Sequence, residues 1–189
     1  MKKVIIQVVL SVLIIVLGYL VYESIMAPVR FNKEYRKRSE LVIERMKHIR
    51  TAQLIYKSIH GKYTGSFDTL VAFMETGQVP VVKMVPDPND TTFTRSIQDT
   101  VGYINVGDSI FGPDADLSLV RFIPYTENEP IELQAGTITK SNIQVSVFQA
   151  LAPKEKFLLG LDKHLIGQDK VKSIKVGSME EPSTDGNWE

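Results

Sequence analysis

The hydrophobic pattern gives the chain three successive textures. The first is "VIIQVVLSVLIIVLGYLVY", Val4–Tyr22, with no charged side chain and only Gln7 and Ser11 clearly polar. At about 1.5 Å per residue this run comes close to the ~30 Å hydrocarbon core of a bilayer. Tyr19 and Tyr22 stand where an interfacial aromatic belt belongs. The second texture is amphipathic. Val42, Met46, Ile49, Ala52, Ile55, Tyr56 and Ile59 recur by threes and fours, while Glu40, Glu44, Lys47 and Arg50 fall opposite, which predicts a helix with one apolar face. Pro28 predicts a kink, with helix resuming by Phe31. Gly61 is a natural stop, and Ser66 can cap a short helix over Phe67–Glu75, with Asp68 at its positive end and Gly77 closing it.

Beyond Gly77 the period shortens. "VPVVKMVPDPND" carries three prolines and reads as a loop or edge segment. Strand-like runs follow at Val101–Val106, Leu119–Ile123, Ile131–Ile138, Ile143–Gln149 and Val171–Val176, with "YTENEPIE" as a hairpin connection. "FLLGLDKHLIG", Phe157–Gly167, fits strand, helix or both. Helix first and strands after predicts an α+β fold: a transmembrane helix continuing into a long amphipathic helix, packed on a small antiparallel sheet. The expected organisation is an anchor over 1–27, a juxtamembrane helix over 28–61, a mainly β head over 62–178, and an acidic tail over 179–189 ending in an isolated Trp188. The apolar stripe before about Ile49 is expected to be open to lateral contacts, and the part after it to face the core.

A cleaved signal peptide is the rival reading of the first segment. Its apolar region is usually about 7–15 residues long, shorter than this run. The best cleavage position, after Ala27, has Ile25 where a small residue is preferred and Pro28 directly behind it. The segment is therefore read as a retained signal anchor. Overall charge is balanced, with 22 basic and 22 acidic residues, and favours no partner. Its distribution is uneven. Arg30, Lys33, Arg36, Lys37 and Arg38 form a basic collar beyond the span, each favourable by about 1 kcal/mol beside anionic headgroups. Counting positive charge literally would leave the C-terminal part in the cytoplasm. A short tail ending in Lys2 and Lys3, and the ease with which large domains translocate, favour a periplasmic head on a single-pass inner-membrane protein. The absence of cysteine excludes disulfides, thiol catalysis and cysteine-based zinc sites.

The stretch "RTAQLIYKSIHGKYTGSFDTL", following a single span and an amphipathic helix, resembles type IV pilins and type II secretion pseudopilins. That family favours an Ala and a Tyr late in its long helix, then a Gly-Lys/Arg-Tyr-Pro turn and a Ser/Asp-Leu short helix. The matching residues are Ala52, Tyr56, Gly61, Lys62, Tyr63, Ser66, Asp68 and Leu70. Pro86-Asp87-Pro88 is similar to the family's loop before its sheet. The resemblance covers about half the chain and implies a helix-on-sheet head, homo-oligomer or other protein contacts through the N-terminal helix, and Ile49, Ala52, Tyr56, Gly61, Tyr63 and Leu70 as structural residues. The chain departs from the family at the processing site. Prepilins place Gly, an aromatic residue and a fifth-position Glu just before the apolar helix. Here "GYLVYE", Gly18–Glu23, lies at its far end and is read as coincidence, so ordinary pilus assembly is not implied. The closing "GSMEEPSTDGNWE" and "DSIFGPDADLSLVRFIPY" resemble envelope proteins of the Bacteroidetes, which adds no mechanism.

Candidate chemistry is sparse. His48, His60 and His164 are widely spread, and neither a Gly-x-Ser-x-Gly elbow nor a phosphate-binding Gly loop is present. The best metal candidate is "GPDADLS", where Asp114 and Asp116 alternate; carboxylates two apart suit Ca²⁺, but a turn whose Asp caps a short helix is the favoured reading. Asp87 and Asp90 in "PDPND" read as a turn. The basic collar lacks interleaved aromatics apart from Phe31 and Tyr35, so no nucleic-acid partner is expected. The expectation is a non-enzymatic membrane-anchored structural or scaffolding protein of the bacterial envelope without a cofactor. The alternative is a ligand- or Ca²⁺-binding accessory module of a secretion or envelope complex.

Overall fold

A computed structural model describes residues 2–86, 96–113, 115–167 and 171–189. Helix α1, Lys2–His60, is 59 residues long and runs through Pro28, so the kink expected there does not break the helix. A proline removes one backbone hydrogen bond and costs about 3 kcal/mol. Helix propagation on both sides, through an unbroken apolar run before it and a packed face after it, carries the helix across. Every large apolar side chain from Val4 to Tyr22 is exposed. In the second half, Ser39, Val42, Met46, Ile49, Gln53 and Tyr56 are buried at alternating steps of three and four, the signature of one continuous contact face.

That face begins earlier and ends sooner than the apolar pattern predicts. Val42 and Met46 are fully buried, so the stripe before Ile49 is core and not a free lateral surface. Ile59 is 53% exposed because the helix stops one residue later. Gly61, at φ +73°, turns the chain back, a left-handed conformation that glycine takes without penalty.

Helix α2, Phe67–Thr76, starts at Ser66, whose Oγ accepts from the Thr69 N–H at 3.5 Å, and buries Leu70 and Met74. Strands β1, Gln78–Pro86, and β2, Ser96–Asn105, form an antiparallel ribbon with an irregularity between Val81 and Val82. The Pro-rich segment predicted as loop or edge is thus a strand up to Pro86. A two-stranded ribbon has two free edges, and an edge tolerates residues that cannot donate. Pro88, Asp87 and Asp90 lie outside the described residues.

Helix α3, Val106–Phe111, follows β2 directly. The strand expected at Leu119–Ile123 is a 3₁₀ helix, Leu117–Arg121, with only Phe122 bridging to Pro130. Asp116 winds it: Oδ1 accepts from the Ser118 N–H at 3.0 Å and the Ser118 hydroxyl at 2.6 Å. Strands β3, Glu132–Lys140, β4, Ile143–Pro153, and β5, Ser173–Gly177, make a second antiparallel sheet in the order β3-β4-β5. Between β4 and β5 lie two short helices, α4, Lys154–Phe157, and α5, Lys163–Gly167. The molecule is therefore α+β, with one long, partly apolar helix and two small antiparallel sheets.

The core sits where α1 meets β4, β5 and α2. Phe148, Phe157, Leu158 and Val176 are fully buried there with Met46, Ile49 and Leu70. The C-terminal segment, predicted as an acidic tail with an isolated Trp188, is docked on it. Gly186 bridges to Val176, the Asn187 Oδ1 accepts from Lys175 N–H at 3.0 Å, and Trp188 packs against the core cluster. Local composition is polar enough to read as solvated, but the Asn187 side chain finishes the free edge of β5.

Candidate functional site

The feature that organises the molecule is the junction of α1 with the head, and much of it is made by arginines. Arg38 Nη1 donates to the carbonyls of Phe157 and Leu159, both at 3.0 Å. Two turns on, Arg45 Nη1 donates to the carbonyls of Leu119 and Phe122, the latter at 2.7 Å. Arg50 Nη1 donates to the Glu189 carboxylate at 2.6 Å and also reaches the Thr184 carbonyl. Each guanidinium thus meets main-chain carbonyls of short helical turns or irregular segments. Burial pushes the Arg45 guanidinium below its ordinary value, partly offset by neighbouring Glu44.

Deeper in the interface, Gln53 is fully buried. Its Nε2 donates to the Thr64 carbonyl at 2.6 Å, and its Oε1 accepts from the Thr64 N–H at 3.1 Å. One amide therefore satisfies both main-chain groups of the residue that follows the Gly61 turn. Around it, Tyr56 stacks on His60 at 4.2 Å and meets Phe73 edge-on at 5.1 Å. Tyr63 packs against Phe148 at 4.7 Å, with Lys57 Nζ over its ring at 4.5 Å.

The residues singled out from sequence fall into three groups. Ile49, Ala52, Tyr56, Tyr63 and Leu70 all lie in the buried cluster, with Gly61 at the turn beside them. Of the collar, Arg30, Lys33, Arg36 and Lys37 are exposed, and Arg30 pairs with Glu23. Arg38 is different, its side chain only 18% exposed and committed to the head. Of the metal candidates, Asp116 caps the 3₁₀ helix and Asp114 lies outside the described residues. Among the described residues no group of three or more His, Asp or Glu side chains is placed to hold a metal. His48 meets Phe111 edge-on at 4.5 Å, and His60 belongs to the Tyr56 and Phe73 stack, so each is absorbed into packing.

Sequence reasoning missed the arginine contacts and the Gln53 amide. A polar residue at a position of the three–four stripe was the available signal: Gln53 sits one residue from Ala52, which took its place in the apolar pattern.

Taken together, the described residues form an α+β chain with one helix long and apolar enough to cross a membrane; its most apolar stretch has a mean hydropathy of 2.9 and no buried residue. No protein-family model, curated protein or solved structure matches the chain.

Proposed function

We propose that this chain is a single-span, pilin-like scaffolding protein of the bacterial inner membrane, with its head in the periplasm. The observation that carries the reading is the continuity of α1. One helix supplies both the exposed apolar span and the spine of the head core, so anchor and head are mechanically one piece. Such an element positions a domain at a fixed height above a membrane and resists bending between the two. The head side of the junction is filled by packing and main-chain hydrogen bonds and not by converging reactive groups, which favours holding over catalysis.

The test is protease accessibility of a tag placed after Glu189. Cleavage only after the outer membrane is opened supports the periplasmic scaffold. Protection until the inner membrane is lysed overturns the location. Scaffolding is tested in the same cells with a cysteine at exposed Leu41, 42% exposed on α1, in a chain that has no other. Crosslinked adducts retained at native expression are expected; a strictly uncrosslinked chain overturns lateral assembly through α1.

A further inference from the structure

The head stacks along α1 in an order that can be read off its contacts. Residues Phe31 and Tyr35 line a cavity of about 230 Å³ with Leu158, Leu165 and Ile166. Arg38 holds the carbonyls of Phe157 and Leu159, Arg45 those of Leu119 and Phe122, and Gln53 holds Thr64. The α4–α5 segment is therefore the part of the head nearest the span. Next to the small cavity, and sharing Lys154, Leu158 and Ile166 with it, is a larger one of about 550 Å³. Its described lining includes four lysines, Lys154, Lys156, Lys163 and Lys172, and one carboxylate, Glu155. Lys154 is already engaged, its Nζ donating to Tyr35 Oη at 2.6 Å, and Lys156 pairs with Glu129. Lys163 and Lys172 are exposed. At the rim Leu159 is 72% exposed, more than any other large apolar side chain among the described residues of the head.

The distance to the bilayer is short. Beyond Tyr22 the exposed apolar surface continues through Ile25 and Val29. Glu23, the one charged residue between Val4 and Val29, is paired with Arg30. From Val4 to Val29 the helix is about 39 Å long, against ~30 Å of hydrocarbon, and a span in excess is accommodated by tilt. A tilt toward the α4–α5 side would bring this base down to the headgroups.

We infer that the base of the head is a docking site for anionic phospholipid: the Lys163 and Lys172 ammonium groups meet the headgroup phosphate at the cavity mouth, and Leu159 enters the interface. The inference rests on the membrane-anchored reading. The occupant is assigned by charge complementarity, by an apolar side chain exposed among lysines, and by the continuity of this surface with the span. Docking at this base makes the head a second membrane contact and fixes the rotation of the whole molecule about the α1 axis, which the span alone does not.

The test uses the full chain in vesicles, with an environment-sensitive fluorophore on Leu159→Cys and, as a distal control, on Thr139→Cys. With phosphatidylglycerol present, the probe at 159 is expected to shift to shorter wavelength and to be quenched by spin-labelled lipid, while the probe at 139 stays water-exposed. In phosphatidylcholine alone neither changes. Lys163→Glu with Lys172→Glu should lower the docked-to-undocked ratio by more than about thirtyfold, the loss expected from removing two surface lysines alone, and Lys163→Arg with Lys172→Arg should keep it. Equal emission from 159 in both vesicles overturns the inference, as does a shift that survives the Glu pair. A shift produced in phosphatidylcholine by inorganic phosphate alone overturns the lipid assignment in favour of a free-anion site. Failure of the chain to float with either vesicle overturns the anchored reading itself, a separate result.

Discussion

Gln53 holds Thr64 by both of its main-chain groups, Nε2 to the carbonyl at 2.6 Å and Oε1 to the N–H at 3.1 Å. The pair closes the loop formed by the end of α1 and the Gly61 turn, and it does so with Gln53 fully buried and Thr64 only 9% exposed. Replacing the amide with an apolar side chain of similar size strands two buried main-chain groups, at about 1–3 kcal/mol each. Gln53→Leu is therefore expected to lower head stability by about 2–6 kcal/mol in denaturant titrations of the full chain in detergent. Leu54→Ala, next to it and 43% exposed, should stay within about 0.5 kcal/mol of the parent.

Tyr56 and Ile59 provide a second comparison, since both belong to the predicted apolar stripe. Tyr56 is 9% exposed and sandwiched by His60 and Phe73; Ile59 is largely in solvent. Tyr56→Ala should destabilise by about 3–5 kcal/mol and open the α1–α2 contact to proteolysis. Ile59→Ala should leave the proteolysis pattern unchanged. Equal sensitivity of the two variants would place the end of α1 in a different packing.

What could be read along the chain was what depends on near neighbours. The three–four stripe of α1, the Ser66 cap, the Gly61 stop and the alternation in "IQVSVFQ" are all decided within a few residues, and the helices and strands there follow them. The roles of the arginines depend on acceptors 74 to 139 residues away, and nothing near Arg38 distinguishes it from exposed Lys37. Trp188 is illegible from its neighbours for the same reason, its surroundings being assembled from β5 and the core. The prolines of β1 misled in the other direction: their local bias toward loops is real, but a two-stranded ribbon leaves edges where a missing donor costs little.

Arg45 tests whether the arginines bind the head to its spine. Its Nη1 serves two carbonyls, those of Leu119 and Phe122, and a lysine ammonium, one bond shorter in reach and more strongly hydrated, does not occupy that position. Arg45→Met is expected to cost about 1–2 kcal/mol, the low end for charged hydrogen bonds because part of this contact is open to water. Arg45→Lys should recover less than half. Hydrogen exchange should show faster opening of residues 117–122 in Arg45→Met, with β4 unaffected.

His48 sets a pH dependence. Burial beside Phe111 lowers its affinity for protons below the ordinary value of 6.5, with Arg45 adding to the shift and Glu44 opposing it. A histidine whose folded value is depressed binds its proton more readily in the unfolded chain. Its contribution to stability is present above about pH 6.5 and is lost as pH falls from there toward the lowered folded value. Denaturation midpoints should therefore fall between about pH 7 and pH 5.5 in the parent, and fall less in His48→Gln. An identical slope in the variant would assign the loss to other groups.

The C-terminal segment gives the last comparison. Asn187 closes the edge of β5 through Lys175 N–H and, by its Nδ2, the Ser173 carbonyl at 2.8 Å, while Trp188 lies on the core and Glu189 meets Arg50. Were these residues a solvated tail, truncation after Pro182 would be silent. Docked as they are, their loss uncovers Val176 and removes a large ring from the apolar cluster. Truncation should destabilise by about 2–3 kcal/mol, most of it reproduced by Trp188→Ala and little by Trp188→Phe, which keeps the apolar bulk. The single tryptophan also makes the test direct. Its emission in the parent should be shifted to shorter wavelength and should move toward that of water-exposed indole in the same denaturant range that melts far-ultraviolet circular dichroism. An emission maximum already at the water-exposed position under native conditions would detach this segment from the core.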